Sequence, residues 1–382
     1  MFRKVVLISA LGAVFLLEGF APVWAQTMVT LEEVLAGKPL GATDDSTTSI
    51  DGSEVLALSD EMRVFLREHV NPGSTDVFKL QQLTDAIMGT THIRLEYDEN
   101  TRTAAETFRL QLGNCLSFTT MFVTLARGAG LKAKFQEVDI PPDWTTRRDV
   151  FVLNRHINII VDVGAGGTRA VDFNDGDFKT TYSVETISDR RAIAHFFNNM
   201  GVERMQSGEI VDAVAFFRRA IVETEGGFSP AWTNLGTLYR KYGHMDFAEA
   251  AYLHALDSDK EDAVAMSNLV SLYEAQGDRE RADVYRKRVD KHRMLNPHLR
   301  FSLARIAFDD GDFDTAINHL KHAIRKVKDE GEYFFLLGVC YLMKGDEQKA
   351  LRWAAKAERV AETDEERLRY STKMRALIEA SH

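Results

Sequence analysis

Residues 231–258 read AWTNLGTLYRKYGHMDFAEAAYLHALDS, and the pattern in this stretch decides the fold of the C-terminal half of the chain. Gly243 in this stretch belongs to a series spaced by 35, 34, 34 and 34 residues: Gly208, Gly243, Gly277, Gly311 and Gly345. Small residues recur in register with that series: Ala213, Ala248, Ala282, Ala316 and Ala350, then Ala220, Ala255, Val289, Ala323 and Ala357. The position seven residues before each glycine is also mostly small: Gly201, Gly236, Val270, Ala304 and Gly338. Because small residues allow two helices to cross closely, the pattern predicts a series of helical hairpins.

The 34-residue period with these small positions is typical of tetratricopeptide repeats, and the region resembles that family. The resemblance implies an all-α solenoid of about five repeats over residues 193–362. Residues 363–382, with Leu368, Met374 and Leu377, resemble the capping helix that such arrays need at their end.

The first helix of each hairpin is expected to line the concave face of the array and to bind a protein or peptide partner. Three asparagines occupy one recurring inner position, where their amides can pair with an extended peptide backbone: Asn199, Asn234 and Asn268. The last two repeats present an apolar set instead: Phe301, Phe308, Phe335 and Leu342. This set either anchors a partner or is covered by the capping helix or by the preceding domain.

Upstream of the repeats, Cys115 lies where a loop enters a predicted helix. Asn114 is a good N-cap, so Cys115 falls in the first helical turn, and apolar residues then recur at helical spacing as far as Gly128. The positive end of the helix dipole lowers a thiol pKa at that position. The backbone N–H groups of the first turn can also stabilise an oxyanion.

The residues after this helix predict a small β-structure. Strands are expected over 132–140, 156–163 and 169–173, with a glycine-rich turn at 164–167. Alternation places His156 and Asn158 on one face of their strand, together with Asp162. Asp172 has the parity to share that face, opposite His156 or Asn158 depending on the register. Asp162 is about two pleats away and is the weaker candidate for orienting the imidazole.

The order of cysteine, histidine and aspartate on a helix start, a strand and its neighbour resembles the transglutaminase-like (papain-type) superfamily. Three stretches carry the likeness: Tyr97 to Ala104 before Gly113-Asn114-Cys115, Leu125 to Ala133, and Val171-Asp172-Phe173-Asn174. The resemblance implies an α+β domain over residues 76–192, in which the cysteine helix packs on an antiparallel sheet. It further implies Cys115 as nucleophile, His156 as general base and Asp172 as the residue that orients it, with Asn114 and Asn158 in oxyanion or supporting roles.

The N-terminal segment and the cysteine content predict where the protein is located and how its chain is divided. Arg3 and Lys4 precede an apolar run that ends at Leu17, and small residues suit cleavage after Ala25. This pattern predicts a signal peptide over 1–25, a periplasmic or secreted protein, and no membrane-spanning segment after cleavage. Residues 26–75 are then an N-terminal extension with one short helix capped by Ser59. Two cysteines make no disulfide framework, and we expect Cys340 to be a buried structural residue.

Composition and motifs argue against other classes of function. Lys and Arg total 47 against 57 Asp and Glu, and this net charge of −10 disfavours a nucleic-acid backbone as partner. Neither a His-Glu-x-x-His nor a Cys-x-x-Cys motif is present, so we expect no metal and no cofactor. The sequence therefore favours a thiol acyl-transfer enzyme. The alternatives are a non-catalytic scaffold that acts through its repeats, and a carbohydrate- or cell-wall-binding role for which no aromatic platform is evident.

Overall fold

The computed structural model describes residues 29–43, 45–48, 50–89, 93–139, 156–173, 183–361 and 363–381. The predicted signal peptide, over 1–25, lies outside these ranges. The part of the chain before the repeats forms six helices within the described ranges: α1 (Leu31–Ala36), α2 (Gly52–Val55), α3 (Asp60–His69), α4 (Asp76–Met88), α5 (Ala104–Leu110) and α6 (Cys115–Gly128). It also forms six strands there: β1 (Glu96–Tyr97), β2 (Leu112–Gly113), β3 (Lys132–Asp139), β4 (His156–Asp162), β5 (Thr168–Val171) and β6 (Ser183–Ile187).

The cysteine domain is an α+β structure, as predicted. Its main sheet has the order β5-β4-β3-β6, and each neighbouring pair is antiparallel. α6 packs against β3 and β4. Alternate residues of β4 (Ile157, Ile159 and Val161) are buried in the core, as the period of two in a strand requires. The short strands β1 and β2 pair in parallel just before α6 and hold the loop that leads into it.

The repeat region is helical throughout its described part. Ten helices form five hairpins: α7 (Asp189–Ser207), α8 (Ile210–Glu223), α9 (Ser229–Lys241), α10 (Met245–Ser258), α11 (Ala263–Gln276), α12 (Arg279–Leu295), α13 (Pro297–Asp309), α14 (Phe313–Lys326), α15 (Gly331–Met343) and α16 (Glu347–Val360). The last helix, α17 (Asp364–Ser381), buries Tyr370 and Met374 and packs on α16, as expected of a cap. The recurring glycines adopt φ values of +76° to +83°, the left-handed conformation that turns the chain between helices.

The small positions inside the hairpins are needed for close packing. A Cβ added at Gly201 would lie 2.6 Å from the ring of Phe217, and one added at Gly236 would lie 2.7 Å from the ring of Tyr252. The two helices of each of these hairpins therefore approach more closely than a larger residue permits.

We expect Gly201→Val to lower the free energy of unfolding by about 1–3 kcal/mol, because the Phe217 ring is fully buried and the helices must separate. Urea unfolding would measure the change. Gly73→Ala is the control, since its Cβ would meet only the exposed Asn71 side chain at 3.4 Å. Equal stability of the two variants would contradict the close crossing.

The predicted N-terminal extension is divided between the two halves of the protein. Its first part, α1, lies on the repeats: the Arg218 guanidinium donates to the carbonyl oxygens of Leu35 and Ala36, and the Tyr239 hydroxyl donates to that of Val34. Its last part, α3, belongs to the cysteine domain, where Phe65 contacts Phe108 edge-on. The sequence did not distinguish these parts, since their partners lie more than a hundred residues away in one case and about forty in the other.

Helix α7 connects the two halves through buried and half-buried polar contacts. At its start, Asp189 accepts two hydrogen bonds from Arg127 of α6, at 2.7 and 2.8 Å. Further along, Arg191 and His195 both donate to the buried Glu137 of β3. Burial would raise the pKa of Glu137, but the hydrogen bonds from His195 and Arg191 outweigh it and hold the pKa well below its ordinary range. The boundary predicted between residues 192 and 193 falls inside this helix.

Candidate active site

Cys115 is the first residue of α6 and is half-buried. Asn114 is its N-cap, as predicted: the Asn114 Oδ1 accepts from the Ser117 backbone N–H at 3.0 Å. The Asn114 amide nitrogen is also engaged, because it donates to the Thr101 Oγ1 at 2.8 Å. Both ends of the amide are therefore used, and Asn114 supports the helix start rather than offering a free donor to an oxyanion.

His156 and Asp172 lie on neighbouring strands and contact each other directly. The His156 Nε2 is 2.8 Å from Oδ1 and 2.7 Å from Oδ2 of the Asp172 carboxylate. Ile159 pairs with Val171, which places Asp172 opposite Asn158 and settles the register that alternation had left open. Asp162 pairs with Thr168 at the other end of β4 and is exposed, so it does not orient the imidazole.

This contact determines which nitrogen of His156 carries the proton. An ionised carboxylate only accepts hydrogen bonds, so the neutral imidazole places its proton on Nε2 and its lone pair on Nδ1. The imidazole is 9% exposed and is therefore held in place by its surroundings as well as by Asp172. The Nδ1 of His156 can thus act as a general base, and Asp172 stabilises the imidazolium that forms.

Asn158 holds the same carboxylate from a second direction. It is fully buried, and its Nδ2 donates to the Asp172 Oδ2 at 3.1 Å. Its Oδ1 has no hydrogen-bond partner within the described ranges. Asn158 therefore contacts the Asp172 carboxylate, and its supporting role in the reaction stays a prediction.

Helix α6 begins close to the start of β4. The Thr119 hydroxyl of α6 donates to the carbonyl oxygen of Ile157, the residue after His156, at 3.1 Å. Cys115 and Thr119 are four residues apart and so share one face of the helix. Since one helical turn rises about 5.4 Å, the Cys115 thiol belongs to the part of α6 that adjoins the histidine strand.

Tyr97 is a neighbour of the thiol to which the sequence assigned no role. β1 places it opposite Gly113, two residues before Cys115, and its side chain is 68% exposed. Desolvation of its hydroxyl raises the pKa of Tyr97, and the nearby Cys115 charge adds to that rise. The only sequence signal was its position at the head of the stretch 97–104, which resembles the family's approach to the cysteine. Tyr97 therefore lies near the Cys115 thiol, at the exposed surface of the protein.

The second cysteine is unlike the first. Cys340 lies inside α15 and is fully buried, which confirms the expected structural role. Burial raises the pKa of the Cys340 thiol to about 12. It is therefore an internal standard for an unreactive cysteine in the same chain.

The predicted partner-binding residues have their own neighbours within the array. Asn199 is half-buried, Asn234 donates to the Asn198 Oδ1 at 2.9 Å, and the buried Asn268 amide nitrogen has no partner in the described structure. Phe301 and Phe308 are half-buried and pack against aromatic neighbours: Tyr333 at 4.8 Å and Phe313 at 5.5 Å between ring centroids. Phe335 stacks on Tyr370 of the capping helix at 5.3 Å, the covered alternative weighed from the sequence.

The described part of the chain has neither a candidate metal site nor a candidate membrane-spanning helix. It contains no group of three or more His, Cys, Asp or Glu side chains that could hold a metal ion. None of its helices combines the length and the apolar character needed to cross a bilayer. These findings apply to the described ranges alone.

Comparison with known families agrees with the geometry. Residues 64–165 match the transglutaminase-like superfamily, and residues 231–264 and 301–365 match tetratricopeptide repeats. The chain contains a transglutaminase-like domain followed by tetratricopeptide repeats. No curated protein matches it.

Three solved structures match part of this chain with low TM-scores. The crystal structure of MamA shares 17% identity over 44% of this chain and 91% of that chain, with a TM-score of 0.25. YrrB, a tetratricopeptide repeat protein with an unusual peptide-binding site, shares 19% identity over 47% and 92%, with a TM-score of 0.25. BtubC from P. vanneervenii shares 20% identity over 45% and 81%, with a TM-score of 0.26.

Proposed function

We propose that this protein is an exported thiol acyl-transfer enzyme, of the peptidase, amidase or transglutaminase type, whose repeats bind a protein or peptide. The observation that carries the proposal is the pair formed by His156 and Asp172 beside the start of the cysteine helix. A carboxylate that fixes an imidazole on the strand beside a cysteine helix is the arrangement that nucleophilic catalysis requires. The match of residues 64–165 to the transglutaminase-like superfamily supports the same class of chemistry.

In the proposed reaction, the Cys115 sulfur attacks the carbonyl carbon of an amide, and its proton passes to the His156 Nδ1. The carbon–nitrogen bond of the resulting tetrahedral intermediate then breaks, and the imidazolium gives its proton to the leaving amine. A thioester remains on Cys115. Water or a second amine attacks this thioester with His156 again accepting the proton, and the thiol re-forms when the carbon–sulfur bond breaks.

The start of α6 is suited to stabilising the charge of that intermediate. The backbone N–H groups of the first turn point along the helix axis toward its beginning, where the helix dipole is positive. Because Asn114 uses the Ser117 N–H, the intermediate would be bound nearer to the cysteine itself. The oxyanion would therefore form within the same turn that carries the nucleophile.

The proposal is tested by the pH dependence of Cys115 alkylation with iodoacetamide in wild-type protein and in Asp172→Asn. In the wild type, the imidazolium held by Asp172 stabilises the thiolate, so the midpoint lies below the value of about 8.5 for a free thiol. Without the Asp172 charge the imidazolium is less stable, and we expect the midpoint to rise by about one pH unit or more. The alkylation rate at pH 6 should then fall about tenfold.

Asp162→Asn is the matched control, because Asp162 is a carboxylate on the same strand that is exposed and makes no contact with His156. Its alkylation profile should coincide with that of the wild type. If the wild-type midpoint is that of an ordinary thiol and Asp172→Asn leaves it unchanged, the proposal of a thiol acyl-transfer enzyme is wrong. The scaffold alternative would then follow if the repeats still captured a partner in the Cys115→Ala variant.

A further inference from the structure

A loop of the cysteine domain, residues 98–103, connects the first repeat helix to the start of the cysteine helix. On one side it is bound to the segment before Cys115, since the Asp98 N–H donates to the Gly113 carbonyl oxygen at 3.0 Å. On the other side it reaches α7 at Glu203, a residue that belongs to the repeats. The loop itself is stiffened by an ion pair of 2.7 Å between Arg102 and Asp98.

The contact with the repeats is a hydrogen bond to a half-buried carboxylate. The backbone N–H of Thr101 donates to the Glu203 Oε1 at 2.8 Å, and Thr101 is only 5% exposed. Burial raises the pKa of Glu203, while hydrogen bonds from the Thr101 side chain and backbone and the charges of Arg204 and Arg102 oppose that rise. The half-buried Glu203 carboxylate therefore has its main hydrogen-bond partner, Thr101, in the cysteine domain.

From Thr101 the contacts continue to the cap of the cysteine helix. The Thr101 Oγ1 accepts from the Asn114 Nδ2 at 2.8 Å, and the Asn114 Oδ1 accepts from both the N–H and the hydroxyl of Ser117, each at 3.0 Å. The Ser117 hydroxyl in turn accepts from the Arg102 N–H at 2.9 Å. Ser117 is fully buried, so its hydroxyl is held by these groups and not by solvent.

We propose that Glu203 of the first repeat helix is a positioning residue for Cys115, acting through Thr101 on the Asn114 cap. The inference rests on the proposed function, because it assigns the contact an effect on the reactivity of the thiol. With Glu203 in place, Thr101 presents its hydroxyl oxygen to the Asn114 amide nitrogen, which orients the amide oxygen toward Ser117. This cap then holds the first turn of α6 in its helical conformation and so fixes the position of Cys115.

The arrangement makes the repeats part of the thiol site. Asn199, the first of the predicted inner positions, is four residues before Glu203 and lies on the same face of α7. A partner bound there would lie one helical turn from the residue that holds the loop.

The test compares Glu203→Leu with Glu203→Gln, using the rate of Cys115 alkylation by iodoacetamide and its pH midpoint. Glutamine keeps an oxygen that accepts from Thr101, so its rate should stay within about twofold of the wild type. Leucine removes the acceptor and releases the cap, and we expect the rate at pH 7 to fall roughly fivefold with a higher midpoint. Glu274→Leu, a carboxylate on α11 that pairs with Arg286, should behave as the wild type.

A second pair of variants keeps the test decisive if Glu203→Leu does not fold. Thr101→Ser retains the hydroxyl and should match the wild type, whereas Thr101→Val removes it and should lower the rate as Glu203→Leu does. A double variant that combines Glu203→Leu with Thr101→Val should lose no more of the alkylation rate than the more affected single variant. The reason is that both substitutions act on one chain of contacts. Absence of label at Cys340, which is buried in α15, reports in every sample that the last repeats are folded.

The outcomes separate this inference from the proposed function. A wild-type Cys115 that alkylates no faster than an ordinary thiol would overturn both. A fast wild-type thiol that is unaffected by Glu203→Leu and by Thr101→Val would overturn the positioning role alone. Equal losses in Glu203→Leu and Glu203→Gln would also overturn it, since charge rather than the hydrogen bond would then be responsible.

Discussion

In the folded protein, iodoacetamide is expected to modify Cys115 at least about a hundredfold faster than Cys340. Cys115 is half-buried at a helix start, where the positive end of the helix dipole favours the thiolate. Cys340 is fully buried, and its pKa of about 12 leaves almost none of it ionised near neutral pH. Exposure and ionisation thus act in the same direction, which is why the expected ratio is so large.

Mass spectrometry of the two cysteine peptides over a time course measures both rates in one sample. Cys115→Ser should abolish the fast phase and leave the slow labelling of Cys340 unchanged. In strong denaturant the two cysteines should label at similar rates, which shows that the difference comes from the folded structure. Slow and equal labelling of both in the native protein would remove Cys115 as a nucleophile.

Glu137→Ala is expected to lower the free energy of unfolding by about 3 kcal/mol. Glu137 is 5% exposed, and its carboxylate accepts from Arg191 at 2.5 and 3.1 Å and from His195 at 2.7 Å. Alanine leaves a guanidinium and an imidazole without their acceptor at the junction of β3 and α7. Because β3 belongs to the cysteine domain and α7 to the repeats, the loss should also loosen the contact between the two.

Thermal and urea unfolding would measure this loss, with Arg190→Ala as the control. Arg190 is the residue before Arg191 and pairs with Glu225 at 2.8 Å, but both side chains are more than half exposed. Its removal should cost at most about 1 kcal/mol. Equal costs for the two variants would show that the buried cluster contributes no more than a surface ion pair.

The effect of Glu137 should depend on pH in a defined direction. Its pKa is lowered in the folded protein from the ordinary value of 4.5, so the unfolded chain binds the proton more readily. The stabilisation is therefore complete above about pH 4.5 and is lost as the pH falls through the lower folded pKa. The difference in stability between the wild type and Glu137→Ala should therefore shrink as the pH falls over that acidic range.

The sequence predicted those features of the candidate site that depend on residues close together in the chain. Helix capping placed Cys115 in the first turn of α6, and strand alternation put His156, Asn158 and Asp172 on one face. Alternation alone did not give the register, because shifting a neighbouring strand by two residues preserves the face while changing the partner. The structure resolves that choice by pairing Ile159 with Val171. Tyr97 received no role because its nearness to Cys115 depends on the pairing of two strands only two residues long.

By itself, the sequence determined the repeat array, its capping helix and the cap of the cysteine helix. These follow from a 34-residue period and from residues within a few positions of one another, whose spacing is part of the chain. Tertiary structure alone decided that α1 lies on the repeats, that α7 serves both halves of the protein, and that Glu203 contacts Thr101. Such contacts join segments 50 or more residues apart, where burial and complementary hydrogen bonding, rather than any periodic pattern, select the partner.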